Sequence, residues 1–170
     1  MQFEDFEFVG HSAYVDGLPA VREYLSFLKD ENYCFEMALN EAVLNAAKYS
    51  VDGPQQAKIS IRFRSTDYDL VAKVSSRTKE FDMFAYREKL RNIAARPEFS
   101  GSDWQEYVGD TEASRGLWFM LRGVEYLYME HRGQSVRLCT RVPFRQDFVT
   151  DTMIDLLPRF FIEKDGVLLL

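Results

Sequence analysis

The chain of 170 residues is 46% hydrophobic and 28% charged, which predicts one globular domain with a sizeable core and excludes a wholly disordered protein. Its formal charge of -6 opposes binding to polyanions, because duplex nucleic acid and anionic lipid both favour clustered Lys and Arg. We therefore expect no direct nucleic-acid contact and no membrane contact. The acidic N-terminus lacks the features of a secretory signal and no stretch is long enough to span a bilayer, which predicts a cytoplasmic protein with Cys34 and Cys139 as free, buried thiols.

The first half of the chain is predicted to form a strand, a loop, two helices and two antiparallel strands. Their approximate ranges are 3–8, 10–17, 18–29, 33–50, 57–65 and 69–76. The second helix is the clearest of these elements, because it contains no Gly or Pro and ends before Asp52-Gly53-Pro54. The segments AKISIRFRS and DLVAKVSS are read as two paired strands, and the first alternates apolar and polar residues as a strand with one buried face does.

The second half is predicted to form a helix, an irregular loop, a buried helix and a hairpin of two strands. Their approximate ranges are 81–95, 96–110, 117–124, 126–131 and 135–142. Together the elements predict an α/β (α+β) fold, a two-layer sandwich in which helices cover one face of a mixed, mostly antiparallel sheet. After residues 1–145, a helical, apolar extension of the same domain over 146–170 is expected to dock on it, or else to form a dimer or partner contact.

The helix over 33–50 has an apolar stripe and a polar face. At 3.6 residues per turn, the stripe consists of Phe35, Leu39, Ala42 and Ala46. Glu41, Asn45 and Lys48 gather on the opposite side, which we expect to line a cavity. An amide oxygen is a hard ligand for Mg²⁺ and a neighbouring carboxylate can deprotonate an attacking group, although periodicity alone also fits an ordinary amphipathic helix with a solvated face.

The letters of this helix carry a family resemblance. The string E-A-V-x-N-A-A-K-Y-S, residues 41–50, resembles the N box of the GHKL ATPases, a group that includes histidine kinases and, as the most similar branch, bacterial anti-sigma factor serine/threonine kinases. The resemblance implies a Bergerat-type ATP-binding fold over 1–145 with ATP and Mg²⁺ as cofactors. It implies that Asn45 holds the Mg²⁺, that Glu41 is the general base, and that Lys48 contacts the nucleotide.

A second patch, Ser114-Arg115-Gly116-Leu117, is similar to the glycine pair that the family carries just before its phosphate-binding helix, with Ser114 in place of the first glycine. A helix N-terminus offers unpaired N–H groups to an anion. The resemblance therefore implies nucleotide contacts at Ser114, Arg115 and Gly116. The same residues also fit a helix start that is chosen only for packing of Leu117.

The chain departs from the family at its adenine motif, D-x-G-x-G. If Phe81-Asp82 matches the end of that motif, Ser76 stands in place of the Asp and Thr78 in place of a glycine. Serine can accept one hydrogen bond from an amino group, but it lacks the charge of a carboxylate. Two interpretations stay open: Ser76 and Thr78 still contact the nucleotide, with water bridging Ser76 to adenine, or the site has decayed while the fold is kept.

Two functions follow from these observations. The first is an ATP-binding, anti-sigma-factor-like regulator that phosphorylates a serine on an antagonist protein. The second is a catalytically inactive module of the same fold that works by docking on a protein. Either function implies a protein partner such as a sigma factor or an anti-anti-sigma antagonist, and a homodimer is compatible with both.

Overall fold

Seven strands form a single sheet in the computed structural model, which describes residues 1–26, 33–97, 112–144 and 152–169 and the side chains of all of these except 112–114 and 168–169. The strands are β1 (Gln2–Val9), β2 (Lys58–Ser65), β3 (Asp69–Ser76), β4 (Tyr126–Glu130), β5 (Ser135–Arg141), β6 (Phe160–Lys164) and β7 (Val167–Leu169). Their order across the sheet is β1-β2-β3-β5-β4-β6-β7. Neighbouring strands are antiparallel, except for the parallel pair β4 and β6.

Five helices complete the described structure. They are α1 (Gly10–Ser26), α2 (Tyr33–Lys48), α3 (Met83–Ala94), α4 (Glu112–Gly123) and the short α5 (Met153–Leu156), which continues into a 3₁₀ turn at Leu157–Arg159. The sheet has one apolar face for these helices because buried and exposed residues alternate along β2, where Ile59, Ile61 and Phe63 are buried. The predicted two-layer α+β fold with a mixed, mostly antiparallel sheet is therefore confirmed.

The helix α2 lies at the centre of the helical layer, on β3 and β5 and against α4. Its predicted apolar stripe is confirmed, since each of the following residues is at most 9% exposed: Phe35, Leu39, Ala42 and Ala46. Burying such side chains contributes roughly 1.5 to 3 kcal/mol for each large one, so this stripe fixes which face of α2 remains for other contacts.

The prediction of a loop over 10–17 before the first helix is wrong, because α1 begins at Gly10 and includes the whole segment. Gly17 suggested a break, yet it serves packing: a methyl group on Gly17 would lie 2.5 Å from the ring of Phe8. Tyr14, one turn earlier, is buried in the core. Pro19 therefore sits in the helix interior, where it removes one backbone hydrogen bond, and not in the first turn.

The later helices match the predictions to different degrees. The helix α3 follows the predicted range closely, and the carboxylate of its N-cap residue Asp82 accepts a hydrogen bond from the backbone N–H of Ala85 at 3.0 Å. The helix α4 begins at Glu112, five residues before the predicted start, so Gly116 lies inside it. The irregular loop predicted over 96–110 falls, from residue 98 onward, outside the described residues.

The C-terminal extension joins the same sheet. Strand β6 pairs with β4 in parallel and buries Phe160 and Ile162, and β7 then adds the last strand. The tail therefore docks on its own chain, as expected, but mainly as strands, because the alternation of buried and exposed residues from Phe160 to Lys164 has a strand period.

No helix in the described part of the chain is long and apolar enough to cross a bilayer. Neither Cys34 nor Cys139 forms a disulfide within the described structure, and of the two only Cys34 is fully buried. Cys139 is partly exposed, and burial nevertheless raises the pKa of its thiol to about 11.

Candidate functional site

Two cavities lie beside α2 and share the residue Asn45. The first, the apolar cavity, has a volume of about 350 Å³ and lies between α2, α3, α4, β3 and the β4–β5 hairpin. Its lining is mainly apolar and includes Ala42, Ala46, Val74, Met83, Leu117, Met120 and Met129. A concave, mostly apolar space of this size is the usual form of a small-molecule site.

The second cavity, the polar cleft, has a volume of about 370 Å³ and lies next to the first. Its polar lining residues are His11, Glu41, Asn45, Lys48 and Arg115. Asn45 also lines the apolar cavity, so one side chain is shared by the two spaces. The prediction that Glu41 and Asn45 line a cavity is confirmed.

The helix α4 passes directly over Glu41 and Asn45. A methyl group on Gly116 would lie 3.1 Å from the Nδ2 atom of Asn45, 3.1 Å from the Oε2 atom of Glu41 and 3.6 Å from the Oδ1 atom of Asn45. Both side chains therefore converge on one point beside the α4 backbone. A glycine at position 116 is what allows α4 to approach so closely.

The donor set at this point fits Mg²⁺. That ion prefers oxygen ligands and usually keeps waters and substrate phosphates alongside one or two protein oxygens. The amide oxygen of Asn45 can supply one such ligand, and the carboxylate of Glu41 lies beside it without being needed as a second one. The described residues contain no group of three or more His, Cys, Asp or Glu that could hold a metal by themselves, so a bound phosphate would have to complete the coordination.

Burial raises the pKa of the Glu41 carboxyl, while the positive charges of Arg115 and His11 lower it. Burial is the largest of these effects. A carboxylate in a partly desolvated cleft holds a proton more readily than one in water, which suits a general base whose pKa must approach the working pH.

The raised pKa of Glu41 predicts that the difference in stability between the wild type and Glu41→Gln depends on pH. Because the folded pKa of Glu41 is raised, ionisation costs folding free energy above that pKa, and the cost is absent below the ordinary glutamate value of about 4.3. We expect Glu41→Gln to melt at a higher temperature than the wild type at pH 8, with the difference shrinking towards pH 4. Thermal melts at several pH values measure this, and an equal difference at every pH would contradict it.

The two positions predicted from the adenine motif lie in different surroundings. Thr78 lines the apolar cavity, but its hydroxyl donates to the carbonyl of Gly133 at 3.2 Å, and its backbone forms an isolated bridge with Ser50. Ser76 is not among the described residues that line the apolar cavity. Its hydroxyl is buried and makes no hydrogen bond within the described structure.

The expectation that Gly116 stands at a helix N-terminus is wrong, because α4 begins four residues earlier. The four unpaired N–H groups of a helix belong to its first turn, so the N–H of Gly116 lies within the internal hydrogen bonding of α4. Arg115 does reach the polar cleft with its side chain. The side chain of Ser114 lies outside the described residues.

Several residues of the site were not identified from the sequence. His11 lines the polar cleft, and its Nε2 atom lies 3.1 Å from the Oδ1 atom of Asn40 on α2. Met120 lies one turn after Leu117 on α4 and lines the apolar cavity with it, and this helical spacing is the signal that could have identified Met120. The segment of His11 was predicted as a loop, so nothing in the sequence brought it to α2.

No protein-family model matches the sequence, and no curated protein is significantly similar to it. The resemblance to GHKL ATPases therefore stays a prediction, which depends on the letters of α2 and of the segment around Gly116.

Proposed function

We propose that this domain binds a nucleotide and acts as an ATP-binding, anti-sigma-factor-like regulator. The observation that carries the proposal is Asn45, which lines the apolar cavity on one side and the polar cleft on the other. A nucleotide has the same division, with a flat, weakly polar base at one end and an anionic phosphate chain at the other. The two spaces accommodate these two ends, with Asn45 at their junction.

The apolar cavity suits the base. Met83, Met120 and Met129 give it polarisable thioether groups, which adapt to flat ligands and make favourable contacts with aromatic rings. Gln134 and Thr78 are polar residues on the same lining. Gln134 can hydrogen-bond an amino group or a ring nitrogen, and this would replace part of the recognition that the family assigns to a carboxylate.

The polar cleft suits the phosphates. Lys48 and Arg115 bring two permanent positive charges to it, and His11 adds a third when it is protonated. Guanidinium and ammonium groups form strong, charge-assisted hydrogen bonds with phosphate oxygens. This local positive charge offsets the repulsion that an acidic chain exerts on a polyphosphate.

Asn45, with Glu41 beside it, would hold Mg²⁺ against the phosphates, and the ion would neutralise charge that develops on them during transfer. Glu41 would accept the proton of an incoming serine hydroxyl, the role that the family resemblance implies for it. In that reaction the serine oxygen would form a covalent bond to the terminal phosphorus of ATP, and the bond between that phosphorus and the ADP oxygen would break. The serine proton would pass to Glu41. These assigned roles of Asn45 and Glu41 are the reason for proposing serine kinase activity on an antagonist protein, whose phosphorylation would change which partner the regulator binds.

A second candidate is the catalytically inactive protein-docking module. Two observations favour it: within the described structure the Ser76 hydroxyl makes no hydrogen bond and lines a cavity on the opposite face of the sheet instead of the apolar cavity, and the Thr78 hydroxyl donates to the carbonyl of Gly133. In this case α4 would cover Glu41 and Asn45 permanently. For both candidates we propose a cytoplasmic protein with a sigma factor or an antagonist as partner, and with a homodimer as a possible assembly.

Calorimetric titration and thermal melts with Mg-ATP test the proposal. A ligand at a hundred times its dissociation constant stabilises a fold by about 2.7 kcal/mol, so we expect a clear rise in melting temperature. Adenosine and inorganic tripolyphosphate should each bind more weakly than ATP, because each fills only one of the two spaces. Absence of ATP binding would contradict the proposal and leave the docking module as the better account.

A further inference from the structure

The face of the sheet opposite the helices carries a row of side chains that the nucleotide proposal does not use. Directly paired positions on six adjacent strands place these residues side by side, in the order Asp5, Arg62, Lys73, Arg137, Tyr128 and Phe161. We call them the cross-strand row. It runs from one negative charge through three positive charges to two aromatic rings.

The outer two cations of the row are compensated by neighbours. Arg62 donates to the carboxylate of Asp5 through two nitrogens, at 2.9 and 3.2 Å. Arg137 is paired with Glu163 on β6 and lies over the ring of Tyr128, 5.2 Å from its centroid. The Arg62–Asp5 pair is mostly exposed and therefore stabilises the fold only weakly, whereas the Arg137–Glu163 pair is half-buried.

Lys73, between these two arginines, has no ion pair within the described residues and is exposed. Paired positions on adjacent strands lie about 5 Å apart, and like charges at such positions destabilise a sheet. Arg64, two residues beyond Arg62 on the same face of β2, is also exposed and without an ion pair among the described residues. Lys73 and Arg64 thus have no direct ion pair among the described residues, although Glu7 and Glu130 line the same cavity as Lys73, in a chain whose formal charge is -6.

The aromatic end of the row provides a second, different surface. The rings of Tyr128 and Phe161 stack with centroids 5.1 Å apart, and Tyr126 packs beside Phe161 at 6.1 Å with 42% of its surface exposed. Tyr126 is exposed and the rings of Tyr128 and Phe161 are half-buried, and aromatic residues and arginine are enriched in protein-binding surfaces.

From this arrangement we propose that the cross-strand row docks an acidic segment of a partner protein. Carboxylates of the segment bind at Lys73 and Arg64, and an apolar side chain next to them packs on Tyr128 and Phe161. A short acidic segment fits better than a nucleic acid because Asp5, Glu163 and Glu130 lie on the same face and repel a long polyanion. The proposal does not depend on nucleotide binding, which takes place on the opposite face of the sheet.

Fluorescence anisotropy with a labelled peptide tests this docking. The probe is a short peptide rich in Asp and Glu around one Phe, compared with an analogue that carries Asn and Gln instead. The wild type should bind the acidic peptide at least tenfold more tightly than the neutral one, and less tightly as salt increases. Lys73→Gln together with Arg64→Gln should weaken binding by roughly tenfold, whereas Lys89→Gln on α3 should leave it unchanged.

Three outcomes would overturn the docking proposal. They are equal affinity for both peptides, unchanged affinity in the Lys73→Gln and Arg64→Gln protein, and tighter binding of a single-stranded oligothymidylate that depends on the same two residues. The last outcome would make the row a nucleic-acid surface. Size-exclusion chromatography of the free protein checks self-association, and peptide binding only by an associated form would assign the face to a second copy of the chain.

A measurement without ligand tests the premise that the row is held against electrostatic repulsion. Lys73→Glu places a negative charge between Arg62 and Arg137, so it should raise the melting temperature by roughly 1 to 3 °C at low salt. Lys89→Glu is the control and should not do so. A lower melting temperature for Lys73→Glu would remove the argument from uncompensated charge and with it the proposal.

Discussion

Gly123→Ala is expected to lower the free energy of unfolding by about 2 kcal/mol, and the melting temperature by roughly 4 to 8 °C. A methyl group at this position would lie 2.4 Å from the backbone oxygen of Cys34 and 2.9 Å from the Cβ atom of Ala38. Backbone atoms cannot rotate away, so α4 would have to move off α2. Chemical denaturation of the two proteins measures the loss.

The matched control is Gly116→Ala, which makes the same chemical change in the same helix. Here the nearest atoms, 3.1 Å away, are the side-chain ends of Asn45 and Glu41, which can shift by a few tenths of an ångström. The better helix propensity of alanine offsets this contact by up to about 1 kcal/mol. We expect little net change, and equal losses at positions 116 and 123 would contradict the packing of α4 against the first turns of α2.

The strands were predictable because their signal is local and strong. In β2 every second residue from Ile59 to Ser65 is buried, and the sequence shows the same alternation as Ile, Ile and Phe against Ser and two Arg. The turn between β2 and β3 is short, so the two strands pair with each other as antiparallel neighbours. The order of the remaining strands was not predictable, because the parallel contact of β4 with β6 joins segments that are about thirty residues apart.

The helix starts were the main errors, and glycine caused both. In the sequence Gly17 indicates a break before the first helix. In the structure α1 continues through Gly17, and the absence of a side chain there leaves room for the ring of Phe8. Gly116 was taken as the start of a helix, although it lies inside α4 where the helix crosses Glu41 and Asn45. A glycine that ends a helix and one that permits close packing look the same in a sequence, because only the tertiary contact tells them apart.

The candidate site could be predicted only in part, because helix spacing is a local property of the sequence and the packing between helices is not. Glu41, Asn45 and Lys48 share one helix face, so their spacing alone brings them together on the polar cleft. His11 and Arg115 reach that cleft from α1 and α4, and only the packing of the helices shows this. The cross-strand row could not be predicted from the sequence, because Lys73 and Arg137 become neighbours only through the pairing of β3 with β5.

Asn45→Ala is expected to weaken binding of Mg-ATP by roughly tenfold to a hundredfold, which corresponds to about 1.4 to 2.8 kcal/mol. The side chain of Asn45 lines both cavities, and its amide oxygen would coordinate the Mg²⁺ ion. Truncation removes that ligand without adding bulk to either cavity. Calorimetric titration of wild type and variant, each with Mg²⁺ and with a chelator, measures the loss and its dependence on the metal.

The dependence on Mg²⁺ is what separates a ligand of the metal from a residue that only shapes the cavity. If Asn45 acts through Mg²⁺, the wild type and Asn45→Ala should bind ATP with similar, weak affinity when the metal is removed, and Asn45→Asp should retain most of the metal-dependent gain because it keeps an oxygen at the same place. Asn92→Ala, on the exposed side of α3, makes the same truncation away from the site and should bind as the wild type does. An equal loss with and without Mg²⁺ would assign Asn45 to direct contact with the nucleotide. Wild-type protein that binds no ATP under either condition would instead mean that α4 keeps Glu41 and Asn45 covered, as the contact at Gly116 allows.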